Sequence, residues 1–347
     1  MRILVIGGAG FVGARVVARL VADGHDALTL ARSDASAARL RTLGATPVAG
    51  DLASPAAIVL PRVDAVIHVA ALFRLAGPRA PFFRINVDGT RALLAAAEAA
   101  GAASFIHLGA AAVIMDDRGS PVRGADEHAP TVPDSALPYI ASTAQAEAAG
   151  LAADRPGFRT LSIRPPAIWG PGDAFSRAIP RAIASGRFAF IDRGDYPYDT
   201  CHVDTVVEAL VSALVRGAGG RAYFIRDPDT VTFRGFVAGL AATQGLSVEG
   251  LRSMPYGLAF NLGRLMEIGA RLVRSRHDPP LSRAMVRLIG REFTVDDAAA
   301  RRELGHVGGV SRDERLAAYA GEAAREPLSR DPPAAAGASA SVAAAGG

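Results

Sequence analysis

VIGGAGFVGARVV (residues 5–17) joins an apolar run at 3–6 to a helix-forming run through Gly7, Gly10 and Gly13. A glycine directly after a strand permits a turn that a side chain would strain. A second glycine three residues on lets backbone approach a pyrophosphate, and a third lets the helix lie close to the strand. Phe11 and Val12 then open a helix whose first N–H groups and positive dipole end face a bound phosphate. The glycines stand between a strand and a helix, the context in which this pattern means dinucleotide binding. Gly7, Gly10, Phe11, Val12 and Gly13 are therefore candidate cofactor contacts.

Beyond this junction the same alternation continues. Apolar runs at 27–30, 65–69, 105–108 and 160–163 read as strands, and 11–22, 86–100 and 139–153 as the helices between them. That order predicts an α/β fold: a Rossmann-type, doubly wound parallel sheet with helices on both faces and a smaller C-terminal substrate lobe. In 347 residues, the dinucleotide-binding domain is expected at 1–165 with a return segment at about 200–225. Past RPPAIWGPGD (164–173), proline, glycine and aromatic residues become frequent, and 166–325 reads mainly as the substrate lobe. Ile168, Trp169, Phe175, Phe188, Phe190, Tyr196 and Tyr198 suit an apolar ligand there, and suit the lobe's own core equally. Residues 251–291 mix apolar side chains with eight arginines and predict one or two amphipathic helices. Packing on the lobe with arginines in water is the plain reading of that segment; peripheral contact with a membrane surface is the alternative. Residues 326–347 are of low complexity and read as a disordered tail.

Composition narrows the partners. All 38 Lys+Arg residues are arginine, the net charge is only +4, and no basic stripe is interleaved with aromatics, so nucleic acid is not expected. One cysteine, Cys201, excludes an internal disulfide and a multi-cysteine metal site, and fits a reducing cytoplasm. The longest uncharged run, 99–115, is broken by Gly101, Ser104, His107 and Gly109 and is too short and mixed for a transmembrane helix. The N-terminus opens directly into a strand and reads as no cleaved leader. A cytoplasmic protein with a small-molecule substrate and no metal is expected, with homodimer formation left open.

Five further motifs follow in order: GDL (50–52), HVAA (68–71), NVDGT (86–90), RPPAIWGPGD and CHVDTVVEAL (201–210). With the Gly7-x-x-Gly10-x-x-Gly13 spacing, they resemble the short-chain dehydrogenases/reductases of the extended type from residue 1 to about 320. Within that family the chain looks most like the 3β-hydroxysteroid dehydrogenase and dihydroflavonol reductase branch. The resemblance implies a nicotinamide dinucleotide, with Asp51 and Leu52 flanking adenine, Ala70 and Ala71 beside the nicotinamide half, and Asn86 among the contacts. At the end of the second strand, where an acidic residue would accept the ribose hydroxyls of NAD, stand Ala31, Arg32 and Ser33. Arg32 can pair with a 2′-phosphate, which favours NADP over NAD.

The resemblance also implies catalysis by a tyrosine, a lysine one helical turn later and a serine or threonine after the fifth strand. LPYIAST (137–143) supplies Tyr139, but Thr143 stands in the lysine position and Ala110 in that of the serine. Tyr139 and Thr143 are spaced i, i+4 and share a helix face. A phenol titrating near 10 needs a shift of about three units, roughly 4 kcal/mol, to work as acid and base near neutrality. A threonine hydroxyl brings no charge to that task. His107, three residues before Ala110, points to the other strand face; Ser142 can bond locally; an arginine of the lobe such as Arg193 can bring charge. The expected function is an NAD(P)-binding oxidoreductase acting on a hydroxyl or ketone of an apolar small molecule, with impaired or atypical catalysis. A non-catalytic NADP-binding sensor and a sugar-nucleotide epimerase/dehydratase are the alternatives.

Overall fold

Strands β1 (Arg2–Ile6), β2 (Asp26–Ala31), β3 (Thr46–Ala49), β4 (Ala65–His68), β5 (Ser104–Leu108), β6 (Arg159–Arg164) and β7 (Arg221–Phe224) form one parallel sheet. Their spatial order is β7-β6-β5-β4-β1-β2-β3. The computed structural model describes residues 1–54, 58–273, 279–305 and 308–323. The expected doubly wound sheet is present, with two strands beyond the apolar runs read from sequence. TPVA of β3 contains a proline and lies half-exposed on one edge, so it carries little apolar signal. RAYF of β7 closes the other edge and comes from the return segment.

Burial of both faces explains the continuous apolar run of β1. Ile3 and Val5 pack with Val16, Val17 and Leu20 of α1 (Phe11–Ala22) and with Val206 and Leu210 of a helix at Val203–Ala213. Leu4 and Ile6 point the other way, onto Leu93, Leu94 and Ala97 of the helix at Gly89–Ala99. Alternate side chains thus feed opposite layers. The helix expected from Asn86 is corrected in form: a turn at Arg79–Phe82 runs through a π-helical stretch, Phe83–Asp88, before the α-helix begins. Asn86 lies within that π-helical stretch and is buried.

The lobe has its own core, which answers the question of its aromatic residues. Trp169, Phe190 and Tyr198 are buried among Phe224, Phe233, Phe236 and Leu240, with Phe175, Phe188 and Tyr196 packed around them. Ile168 packs on the sheet's cluster instead. These side chains are core, and their spacing in the sequence could not distinguish that from a ligand wall. The Trp169 indole N–H donates to Asp227 (2.7 Å), which also accepts from Thr200 (2.7 Å) and the His202 backbone (2.8 Å). Two helices occupy the arginine-rich segment, Tyr256–Leu272 and Arg283–Ile289. Among the described residues no helix is long and apolar enough to cross a membrane. The expected tail at 326–347 lies outside the described residues.

Candidate active site

Strand order reverses between β1 and β4, and ligands of such sheets bind in the crevice at the carboxyl ends of the strands there. Gly7 follows β1 with φ of +91°, and a Cβ on it would lie 3.0 Å from the backbone nitrogen of Ala70, just past β4. The Gly10 N–H donates to the Gly7 carbonyl (2.9 Å) and closes the turn. Gly13 tolerates no side chain, since a Cβ would sit 2.1 Å from that carbonyl oxygen. At Gly10 the only heavy atom near such a Cβ is the Gly7 oxygen at 3.2 Å, so the side toward the crevice is open. Gly10 caps α1, with Phe11 and Val12 in its first turn, and among the described residues no side chain caps the helix's first N–H groups. Free donors at the positive end of a 12-residue helix, above a glycine cradle, fit a pyrophosphate.

Flanking segments surround this cradle. Arg32 is exposed just past β2, and Ser33 caps the next helix, Asp34–Thr42. The Gly50 N–H donates to the Ala31 carbonyl (3.2 Å), which sets GDL beside Arg32. Asp51 accepts from the Ala53 backbone (2.9 Å), and Leu52 abuts Gly89. On the other side, Arg15 of α1 donates to the Pro171 carbonyl (2.6 Å), drawing the WGPG loop over α1. A Cβ on Gly170 would meet the His202 Nε2 at 2.9 Å, so the WGPG and CHVD motifs meet there.

Asn86 serves the site indirectly. Its Oδ1 accepts from the Leu72 N–H (2.7 Å), and its Nδ2 donates to the Leu72 carbonyl (3.2 Å) and to the Ser142 hydroxyl (3.0 Å). Ser142 in turn donates to the Tyr139 carbonyl (3.0 Å), the local bond its sequence position allowed. Asn86 thereby ties the loop after β4, which holds Ala70 and Ala71, to the tyrosine helix at Pro138–Ala152.

Tyr139 stands in the first turn of that helix, behind Pro138. Its ring meets Phe73 edge-on at 4.8 Å and packs with Ala110 on the lobe's core. Burial pushes the phenol up to about 12, and Thr143 one turn on draws it back only in part. The Thr143 Oγ1 is buried with no hydrogen-bond partner of ordinary geometry among the described residues. Ala110 lies just past β5 in extended conformation and offers only a methyl group. Arg193 is no substitute cation: its side chain is 79% exposed and its ionic partner is Asp195, at 3.6 Å. His107 is buried against the His68 ring (5.3 Å), and burial holds it down at about 4, hence neutral.

A network that sequence reading missed underlies this helix. Glu147, one turn beyond Thr143, forms a buried ion pair with Arg164 (2.6 Å) and accepts from Ser162 (2.7 Å). A Cβ on Gly109 would lie 2.7 Å from the Ser162 hydroxyl and 2.8 Å from Glu147 Oε2. Glycine is required at 109 because this network fills the space beside it. The signal available was the i, i+4, i+8 spacing of Tyr139, Thr143 and Glu147 along one helix face.

The glycine cradle at the switch point and the tyrosine helix beside it define a dinucleotide-binding oxidoreductase of the Rossmann class. The model of the NAD dependent epimerase/dehydratase family matches residues 3–225, and the chain belongs to that family, among the extended short-chain dehydrogenases/reductases. It is 37% identical over 319 residues to the 4-hydroxy-2-methyl-3-oxo-4-farnesyl-3,4-dihydroquinoline-1-oxide ketoreductase of Stigmatella aurantiaca, covering 91% of this chain and 95% of that one. It is 33% identical over 328 residues to the 2-alkyl-3-oxoalkanoate reductase of Stenotrophomonas maltophilia, covering 91% and 97%. Among solved structures, the UDP-glucose 4-epimerase of Thermotoga maritima superposes with a TM-score of 0.73 at 20% identity, over 95% of this chain and 100% of that one. The last likeness is one of fold.

Proposed function

We propose that this protein is an NADP(H)-dependent reductase that converts a ketone on an apolar small molecule to the alcohol, with Tyr139 as proton donor. The observation that carries this reading is the state of Tyr139. A phenol that burial pushes up to about 12, walled by Phe73, keeps its proton throughout the neutral range. Such a group can donate to a carbonyl oxygen becoming an alkoxide, and is a poor base for alcohol oxidation. The relatives, a ketoreductase and a reductase by name, agree in direction.

The remaining roles follow from position. Gly7, Gly10, Phe11, Val12 and Gly13 would hold the pyrophosphate, Arg32 the 2′-phosphate, Asp51 and Leu52 the adenine end, and Ala70 and Ala71 the nicotinamide half. The bound dinucleotide supplies the hydride. Asn86 holds the loop and helix in register. Thr143 and Ala110 leave the phenolate and the substrate oxygen without the charge and hydroxyl that the family pattern provides, so turnover is slow. The ring of Phe73 against the phenol weighs against a sugar nucleotide as substrate.

A substrate screen following NADPH oxidation with long-chain 3-oxo acids and polycyclic ketones tests this reading. Slow turnover with NADPH is expected, abolished by Tyr139→Phe, and raised about a hundredfold or more by Ala110→Ser with Thr143→Lys. A wild type as fast as the double variant would refute the account of the site. The vacancies at Thr143 and Ala110 also favour a second reading, a nucleotide sensor; tight NADPH binding without reduction of any ketone would decide for it.

A further inference from the structure

Eleven large apolar residues are exposed among the described residues, and five of them cluster on or directly after one helix, Tyr256–Leu272. They are Leu258, Leu265, Ile268, Leu272 and Val273, from 44% to 79% exposed. Leu258, Leu265 and Leu272 recur every seven residues with Ile268 between the last two, so they form one stripe roughly 20 Å long. The opposite face of the helix is occupied. Tyr256 and Ala259 pack with Ile191 and Val286, and Gly263 approaches the backbone of Ser282 so closely that a Cβ would lie 3.0 Å from it.

Charge is sorted between the same two faces. The helix has one carboxylate, Glu267, which is buried and paired with Arg283 (2.9 Å). Its outward face carries Arg264 and Asn261 and no acidic side chain. Across 251–291 eight arginines accompany two carboxylates, Glu267 and Asp278. Arg287 and Arg291 are committed to Asp116 and Asp192, whereas Arg252 and Arg264 are exposed. A low-carboxylate helix with an apolar stripe and flanking arginines matches a surface that is apolar beneath and anionic above.

We propose that this helix seats the protein on an anionic phospholipid surface, with the leucine stripe at the boundary of headgroups and acyl chains and Arg264 against lipid phosphate. A second copy of the chain fits less well. Arg264 lies next to the midpoint of the stripe, so a two-fold pairing that buried the stripe would bring the two Arg264 side chains together. Seating on lipid would suit an apolar ketone, but the inference rests on the helix alone and its test reads binding rather than turnover.

The test is co-sedimentation of the full chain with vesicles of phosphatidylcholine, alone or mixed equally with phosphatidylglycerol, alongside sedimentation equilibrium without lipid. Binding to the mixed vesicles is expected, weaker in raised salt and weaker on phosphatidylcholine alone. Leu265→Asp with Ile268→Asp should weaken it about tenfold or more, and Arg264→Ala about fivefold, with NADPH affinity unchanged as the measure of intact fold. Failure to bind either vesicle, or binding indifferent to these substitutions, would overturn the proposal. So would a dimer that the Leu265 and Ile268 substitutions turn into a monomer, because the stripe would then be covered by a second copy.

Discussion

The rings of Phe73 and Tyr139 stand 4.8 Å apart at 86°, and Asn86 holds them there from behind. Its amide grips both backbone groups of Leu72, next to Phe73, and the hydroxyl of Ser142, three residues after Tyr139. Phe73 is nevertheless 42% exposed, so one side of the ring is left for an apolar substrate. Phe73→Ala should raise KM for apolar ketones about tenfold, the scale of one lost aromatic contact, with the Kd for NADPH unchanged. Steady-state kinetics beside a fluorescence titration separate the two.

The pH dependence of reduction follows from the raised phenol. Reduction needs the protonated form, which persists until pH rises toward the value of about 12, so kcat should be flat from about pH 6 to 9. In Thr143→Lys an ammonium one turn away favours the phenolate, and the falling limb should move down by about 1–3 units. A fall in the wild-type rate between pH 7 and 9 that Tyr139→Phe removes would contradict the assignment.

The proposed preference for NADPH over NADH rests on Arg32. A guanidinium at the end of β2 can bond a 2′-phosphate and has no such partner in NADH. Arg32→Ser should weaken NADPH about tenfold or more while leaving NADH nearly unchanged, read by titrating both nucleotides.

Beneath the site, Glu147 and Arg164 are each about 95% or more buried in their side chains. Removing one partner strands the other's charge, so Arg164→Met should destabilise the fold by about 3–5 kcal/mol. Replacing both, as in Glu147→Leu with Arg164→Met, should cost clearly less. Urea unfolding of the two variants measures the difference.

Much of this protein was legible in its sequence because the signals are local. The glycine spacing, the apolar runs of β1, β2, β4, β5 and β6 and the placement of Tyr139 each depend on a few neighbouring residues. The register of Tyr139 with Thr143 is likewise fixed by helical geometry once a helix is granted. What escaped were features lacking a local pattern: the half-exposed edge strand TPVA, the π-helical turn before Gly89, and β7, which reaches the sheet from far along the chain.

Local signals in the chain were enough to read the sheet's class, the glycine turn after β1, and Thr143 and Ala110 where the family pattern has lysine and serine. Packing in three dimensions made the lobe's aromatic residues core, joined loop to helix through Asn86, and gave the space beside Gly109 to Glu147 and Ser162. It also turned Glu267 inward and left Leu258, Leu265 and Leu272 of that helix outside. Propensity and spacing act along the chain, whereas burial and ion pairing depend on which distant segment arrives to cover a side chain.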